Sequence, residues 1–179
     1  GEQRDVERAE GLDARRAGTP HFAEVQPLLM RDVAAIIRAD SGGGEPVLLS
    51  TPGPSLVVAA LGGMSTVGTL YWENAAGLEA AARMLAADSE AAARRLLRER
   101  GVTHVLVLGG DPFLGYYREA LAARQSARPE AGAFATRLLG GGPLPDWLEP
   151  IPLRRNPLAA TLGVRVVLAR VVGAGGAGD

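Results

Sequence analysis

A three-layer α/β/α sandwich, built on a mainly parallel sheet with a C-terminal antiparallel hairpin, is the fold this sequence predicts. Three observations carry it. Val47–Ser50 and Val102–Leu108 are short, continuous apolar runs, as strands covered on both faces are. Segments with helical apolar spacing alternate with these runs, which argues a parallel sheet flanked by helices. Beyond Gly142 the pattern changes to two apolar runs with no evident helix between them, Trp147–Leu153 and Val164–Val172, best paired antiparallel.

In chain order, Gly1–Pro20 is dense in Arg, Glu and Asp and reads as a charged connector, with nearby opposite charges supporting a solvated helix. The chain opens on Gly1 rather than Met, so a piece of a longer polypeptide is expected. Residues 21–172 form the single α/β domain. Pro27 suits the first turn of a helix, and Leu29, Val33, Ile36 and Ile37 place one apolar stripe behind it. That helix should end near Asp40, before the hinge Ser41-Gly42-Gly43-Gly44. The glycine run precedes a strand, so it is not a phosphate loop.

Val47–Ser50 is the first strand. Pro54 or Ser55 opens a helix filled by Leu56–Leu61 and ended by Gly62-Gly63. Ser65–Leu70 is the second strand, followed by the polar-aromatic loop Tyr71-Trp72-Glu73-Asn74. Leu78, Ala81, Ala82 and Leu85 mark a helix. Asp88 or Ser89 caps another that carries Ala93, Leu96 and Leu97 and stops at Gly101. Val102–Leu108 is the clearest strand. Gly109-Gly110-Asp111-Pro112 then turns into a helix over Phe113–Arg124, and a looser helix covers Glu130–Leu139. The hairpin loop passes through Asn156 and Pro157. Residues 173–179 read as a mobile Gly/Ala tail.

Composition excludes several functions. Nineteen basic residues against twenty acidic ones leave a net charge of −1, with no field to gather nucleic acid. All the basic residues are arginine, so a phosphate-loop lysine is impossible. There is no Cys, which removes disulfides, thiolate metal sites and Cys nucleophiles. With two histidines no His-rich metal site is expected, and His104, inside an apolar strand, reads as structural. No cofactor motif is present. Gly53-Pro54-Ser55 lacks the flanks of a nucleophile elbow. The arginines of Arg94–Arg100 read as the solvated face of an amphipathic helix rather than an RNA site. No window reaches the ~20 apolar residues of a spanning helix.

Ligands of such sheets collect at the carboxyl ends of the strands. The loops there bring Ser55, Tyr71, Trp72, Glu73, Asn74 and Asp111 to one edge, the candidate ligand-facing set. Each also has a structural reading. Glu73 or Asn74 caps the next helix, Tyr71 and Trp72 pack as core aromatics, and Asp111-Pro112 is a common helix-start pair. No residue is assigned a catalytic role.

The run Pro46 to Leu108 resembles the soluble extracytoplasmic domain that follows the membrane helices in polytopic GT-C-class glycosyltransferases. These include oligosaccharyltransferase-like and mannosyltransferase-like bacterial proteins. The matching pieces are Val47–Ser50, Leu61–Val67, Tyr71–Asn74 and Leu96–Leu108, above all Leu97-Arg98-Glu99-Arg100-Gly101-Val102-Thr103-His104-Val105-Leu106-Val107. The resemblance implies a domain on the periplasmic face of the bacterial cell membrane that is not catalytic on its own. It implies as partners the membrane-embedded part of the same polypeptide and a glycan or lipid-linked sugar on the acceptor side. The oligosaccharyltransferase branch carries Trp-Trp-Asp-Tyr-Gly just after the first strand. Thr51-Pro52-Gly53-Pro54-Ser55 stands here instead, so acceptor-peptide recognition is not carried over. Two other readings stay open: a structural or partner-binding domain with no small-molecule site, and a free-standing α/β enzyme using the strand-end cleft.

Overall fold

The computed structural model describes residues 22–67, 75–115, 133–153, 156–161, 163 and 165–173. The charged connector, residues 68–74 with the end of the expected strand Ser65–Leu70, residues 116–132 and the last six residues lie outside that set.

The first helix, α1, spans Phe22–Asp40. It starts before the sequence-based boundary, so Pro27 sits inside it rather than in its first turn. The reason is Val25, which is buried one turn ahead of Leu29 and extends the apolar stripe across the proline. Strand β1 is Val47–Leu49, and α2 follows at Pro52–Gly62. This helix also begins earlier than expected: extended Thr51 precedes Pro52, whose missing N–H is harmless in a first turn. Gly63 ends it in the left-handed conformation at φ 59°, its N–H donating to the Ala59 carbonyl at 3.0 Å.

Strand β2 is Ser65–Val67, followed by α3 at Ala75–Leu85 and α4 at Glu90–Glu99. The Ser89 side chain accepts from the Ala92 N–H at 3.2 Å, the expected N-cap. Strand β3, His104–Leu108, is buried along its whole length. A helical turn at 112–115 opens the segment expected over Phe113–Arg124, and the rest lies outside the described residues. Then come α5 (Phe134–Leu139), β4 (Leu148–Pro150), α6 (Pro157–Thr161) and β5 (Val166–Val171).

Helix α6 was not expected inside the hairpin loop. Asn156 Oδ1 accepts from the Leu158 and Ala159 N–H groups at 2.9 and 3.3 Å, and Pro157 occupies the first helical position. The same Asn156 donates through Nδ2 to Asp32 of α1 at 3.0 Å, so the loop is tied to the first helix.

The five strands form one sheet in the order β2-β1-β3-β5-β4. β1 pairs parallel with β2 and β3, and β5 pairs antiparallel with β3 and β4. Four strands therefore point one way and β5 alone points back. The alternation of side chains divides the core. Leu48, Leu106, Leu108 and Leu168 face α1, α2 and Leu158 of α6. Leu49, Val67, Val105, Val107, Ala169 and Val171 face α3, α4 and α5. That is the three-layer sandwich. Phe134 and Trp147 stack in the second layer, with ring centroids 5.6 Å apart.

A chain of polar contacts fastens α1 to the amino edge of the sheet. His104, 2% exposed, points to the α1 side of β3, and its Nε2 lies 2.7 Å from Asp40 Oδ2. The other ring nitrogen, Nδ1, lies 2.8 Å from the Thr103 hydroxyl, which also faces the Val47 carbonyl at 3.2 Å. Asp40 also receives Arg170 of β5 at 2.8 Å, and Arg170 reaches on to Glu149 of β4. The bond to Glu149, then the charge of Asp40, raise the Arg170 guanidinium above its usual pKa. His104 is thus a satisfied core histidine.

Candidate functional site

The strand order places the site before any side chain is considered. From β1 the chain moves to β2 on one side, then returns across β1 to lay β3 on the other. The carboxyl ends of β1 and β3 therefore flank the point where the strand order reverses, the place at which open α/β sheets hold ligands.

Three hydroxyls and one carboxylate stand there, and each is anchored within the fold. Ser50 Oγ donates to the Leu106 carbonyl at 2.9 Å, joining β1 to β3. The Thr51 hydroxyl donates to Asp111 Oδ2. The other oxygen of Asp111 accepts from the Phe113 N–H at 2.9 Å and so caps the helical turn behind Pro112. Ser55 is fully buried, and its hydroxyl is directed to the carbonyl of Val67, 3.5 Å away at the end of β2.

Of the residues named from sequence, Asp111 lies in the turn after β3 and Ser55 in the first turns of α2, its hydroxyl directed to the end of β2; β1 separates those two strands. Asp111 is partly exposed at the crevice mouth, while Ser55 is turned into the layer between α2 and the sheet. Tyr71, Trp72, Glu73 and Asn74 lie outside the described residues.

Sequence reasoning missed Thr51 and Arg165. Thr51 sits beside Pro52 in an ordinary turn, and nothing local links it to a carboxylate sixty residues away. Arg165 stands just before β5, which among the described strands is the one that starts at this edge. Its carbonyl accepts from the Gly109 N–H at 2.7 Å, which holds its backbone against the turn after β3. Its guanidinium lies over Gly141, where an added Cβ would come within 2.9 Å of Nη1. Among the described residues Arg165 has no acidic partner. The edge therefore offers the partly exposed Asp111 carboxylate and the exposed Arg165 guanidinium, with the Thr51 hydroxyl buried behind them. Such groups bind and orient hydroxyls and anionic groups. Because both Asp111 oxygens are already engaged, the geometry supports binding better than proton transfer.

Among the described residues no group of three or more His, Asp or Glu side chains is placed to hold a metal ion. No helix among them is long and apolar enough to cross a membrane.

No family model matches the chain, and no curated protein matches its sequence. Its fold is similar to that of the C-terminal globular domain of oligosaccharyltransferase from Archaeoglobus fulgidus. The superposition has a TM-score of 0.56 at 13% sequence identity and covers 78% of this chain and 94% of that domain. At that identity the likeness is one of fold.

Proposed function

We propose that this chain is an extracytoplasmic domain of a multi-spanning membrane protein, a glycosyltransferase-like enzyme acting on lipid-linked sugars. It helps shape the acceptor side and is not catalytic on its own. The observation that carries the reading is the fold shared with the oligosaccharyltransferase domain over 78% of the chain. The sequence resemblance of Pro46–Leu108 supports it. On this reading the domain lies on the periplasmic face of a bacterial cell membrane and packs on the membrane-embedded part of the same polypeptide.

The carboxyl edge is then the acceptor-facing surface. Tyr71 and Trp72 offer rings to stack on a sugar, and Glu73, Asn74 and Asp111 offer partners for its hydroxyls. Ser55 supports the edge from below through Val67.

The test is Trp72→Ala in the full-length polypeptide. Losing one stacking surface should lower transfer from a lipid-linked donor roughly tenfold while the melting temperature holds. Unchanged transfer overturns the acceptor role. A membrane-impermeant maleimide tests the location, because the chain has no Cys of its own. A cysteine placed at exposed Arg100 should label in intact cells; labelling only after lysis overturns the extracytoplasmic assignment.

A second reading, a partner-binding domain with no small-molecule site, is favoured by exposed apolar side chains. Leu28 on α1 is 46% exposed and Val172 after β5 is 45% exposed. Under that reading Leu28→Asp or Val172→Asp lowers activity and Trp72→Ala does not.

A further inference from the structure

Helix α4 carries more arginine than its acids can match. Elsewhere Arg31 pairs with Asp32, Arg83 with Glu79, and Arg170 with both Asp40 and Glu149. On α4, Arg95 meets Glu99 at 3.9 Å, at the limit of an ion pair. Arg94 and Arg98 have no ion-pair partner among the described residues. They are one turn apart on the same helix face, so their stems rise side by side.

These arginines do not stand on a flat surface. Arg94, Arg95 and Arg98 line a groove of about 600 Å³ with Glu90, Glu99 and Trp147. The floor is firm. Trp147 is nearly buried, stacks on Phe134 at an interplanar angle of 18°, and accepts through its carbonyl from the Val172 N–H at 2.9 Å. Glu90 sits in the first turn of α4, where the helix dipole favours an acid. Three guanidinia against two carboxylates leave the groove one positive charge in excess, on a chain whose net charge is −1.

Arg94 and Arg98, neither within ion-pair distance of the groove's two carboxylates, present neighbouring planar donors, which match the oxygens of a phosphate. A neutral sugar would leave that charge unused. A nucleic acid would call for a longer basic track with exposed rings, and Trp147 is only 5% exposed. We infer that the α4 groove binds a phosphate group through Arg94 and Arg98. It is distinct from the strand-end edge: Trp147 directly precedes β4, at the amino side of the sheet. The phosphate belongs either to a soluble ester or to a lipid headgroup.

The experiment uses the whole chain in two arms. One titrates sodium pyrophosphate calorimetrically; the other measures flotation with phosphatidylglycerol vesicles against phosphatidylcholine vesicles. Arg94→Gln combined with Arg98→Gln should weaken binding ~10-fold or more, as charge-assisted bonds do. Arg31→Gln, which removes one such charge on α1, should leave affinity unaltered, and all variants should melt with the parent. Pyrophosphate binding without vesicle binding assigns a soluble ester. Flotation with the anionic vesicles alone assigns a lipid headgroup. Absence of binding in both arms overturns the inference, and so does equal binding by the double variant or an equal loss in Arg31→Gln.

Discussion

The hydroxyl of Thr51 donates to the carboxylate of Asp111, joining the turn after β1 to the turn after β3. Neither residue belongs to a strand, yet their bond spans the point where the strand order reverses. Thr51 is itself buried, whereas Asp111 is partly exposed, so a ligand would meet the carboxylate first.

Thr51→Val tests that bond while keeping the shape. Asp111 retains the Phe113 N–H and gains water, so the loss should be about 1 kcal/mol. Asp111→Ala removes both bonds and should cost about 2 kcal/mol. Urea unfolding gives the order; a larger loss in Thr51→Val than in Asp111→Ala would contradict this account.

Asp40 is the hub of the amino edge, holding His104 on one oxygen and Arg170 on the other. Asp40→Ala leaves a buried imidazole without its acceptor and should destabilise by about 2 kcal/mol or more. Arg170→Gln should do less, because that side chain is 39% exposed and water can take its place. Equal losses in thermal unfolding would place the weight on the surface pair instead.

Gly62 sets how closely α1 and α2 pack. A Cβ there would lie 3.0 Å from the Ala34 Cβ and 2.9 Å from the Met64 methyl. Gly62→Ala should therefore cost about 1–3 kcal/mol through overpacking. Gly63→Ala meets the movable end of Arg38, Nη2 at 3.3 Å, and forces a side chain to φ 59°, at about 1–2 kcal/mol. Adding Ala34→Gly should rescue Gly62→Ala in part and leave Gly63→Ala uncorrected; a double-mutant cycle decides it.

Two leucines separate core from surface. Leu97 of α4 is fully buried, whereas Leu61 at the end of α2 is 57% exposed. Leu97→Ala should lose about 2–5 kcal/mol and Leu61→Ala no more than about 0.5 kcal/mol. A strong loss at Leu61 in denaturant melts would mean that this position is covered in solution.

Local pattern made much of this fold legible. The apolar run at Val102–Leu108 is the buried central strand, slightly trimmed, and Ser89 caps α4 as its position before Ala93 and Leu97 implied. The misses have local causes as well. Pro27 suits a first helical turn, yet α1 begins at Phe22, because burial of Val25 carries the apolar stripe past the proline. Helix α6 was overlooked because it is five residues long with none buried, too short for a periodic signal. Of the candidate site, Ser55 and Asp111 could be placed at strand ends, but the inward turn of Ser55 depends on β2 lying beneath it.

What the sequence determined by itself is the order of the elements and the face each buries, because period and turn chemistry act within a few residues. Which strands become neighbours, and which polar groups therefore meet, was decided only by the tertiary structure. Thr51 reaches Asp111 across 60 positions, His104 reaches Asp40 across 64, and Arg170 reaches Asp40 across 130. No local period spans such separations; they are set when the two apolar faces of one sheet are covered at the same time.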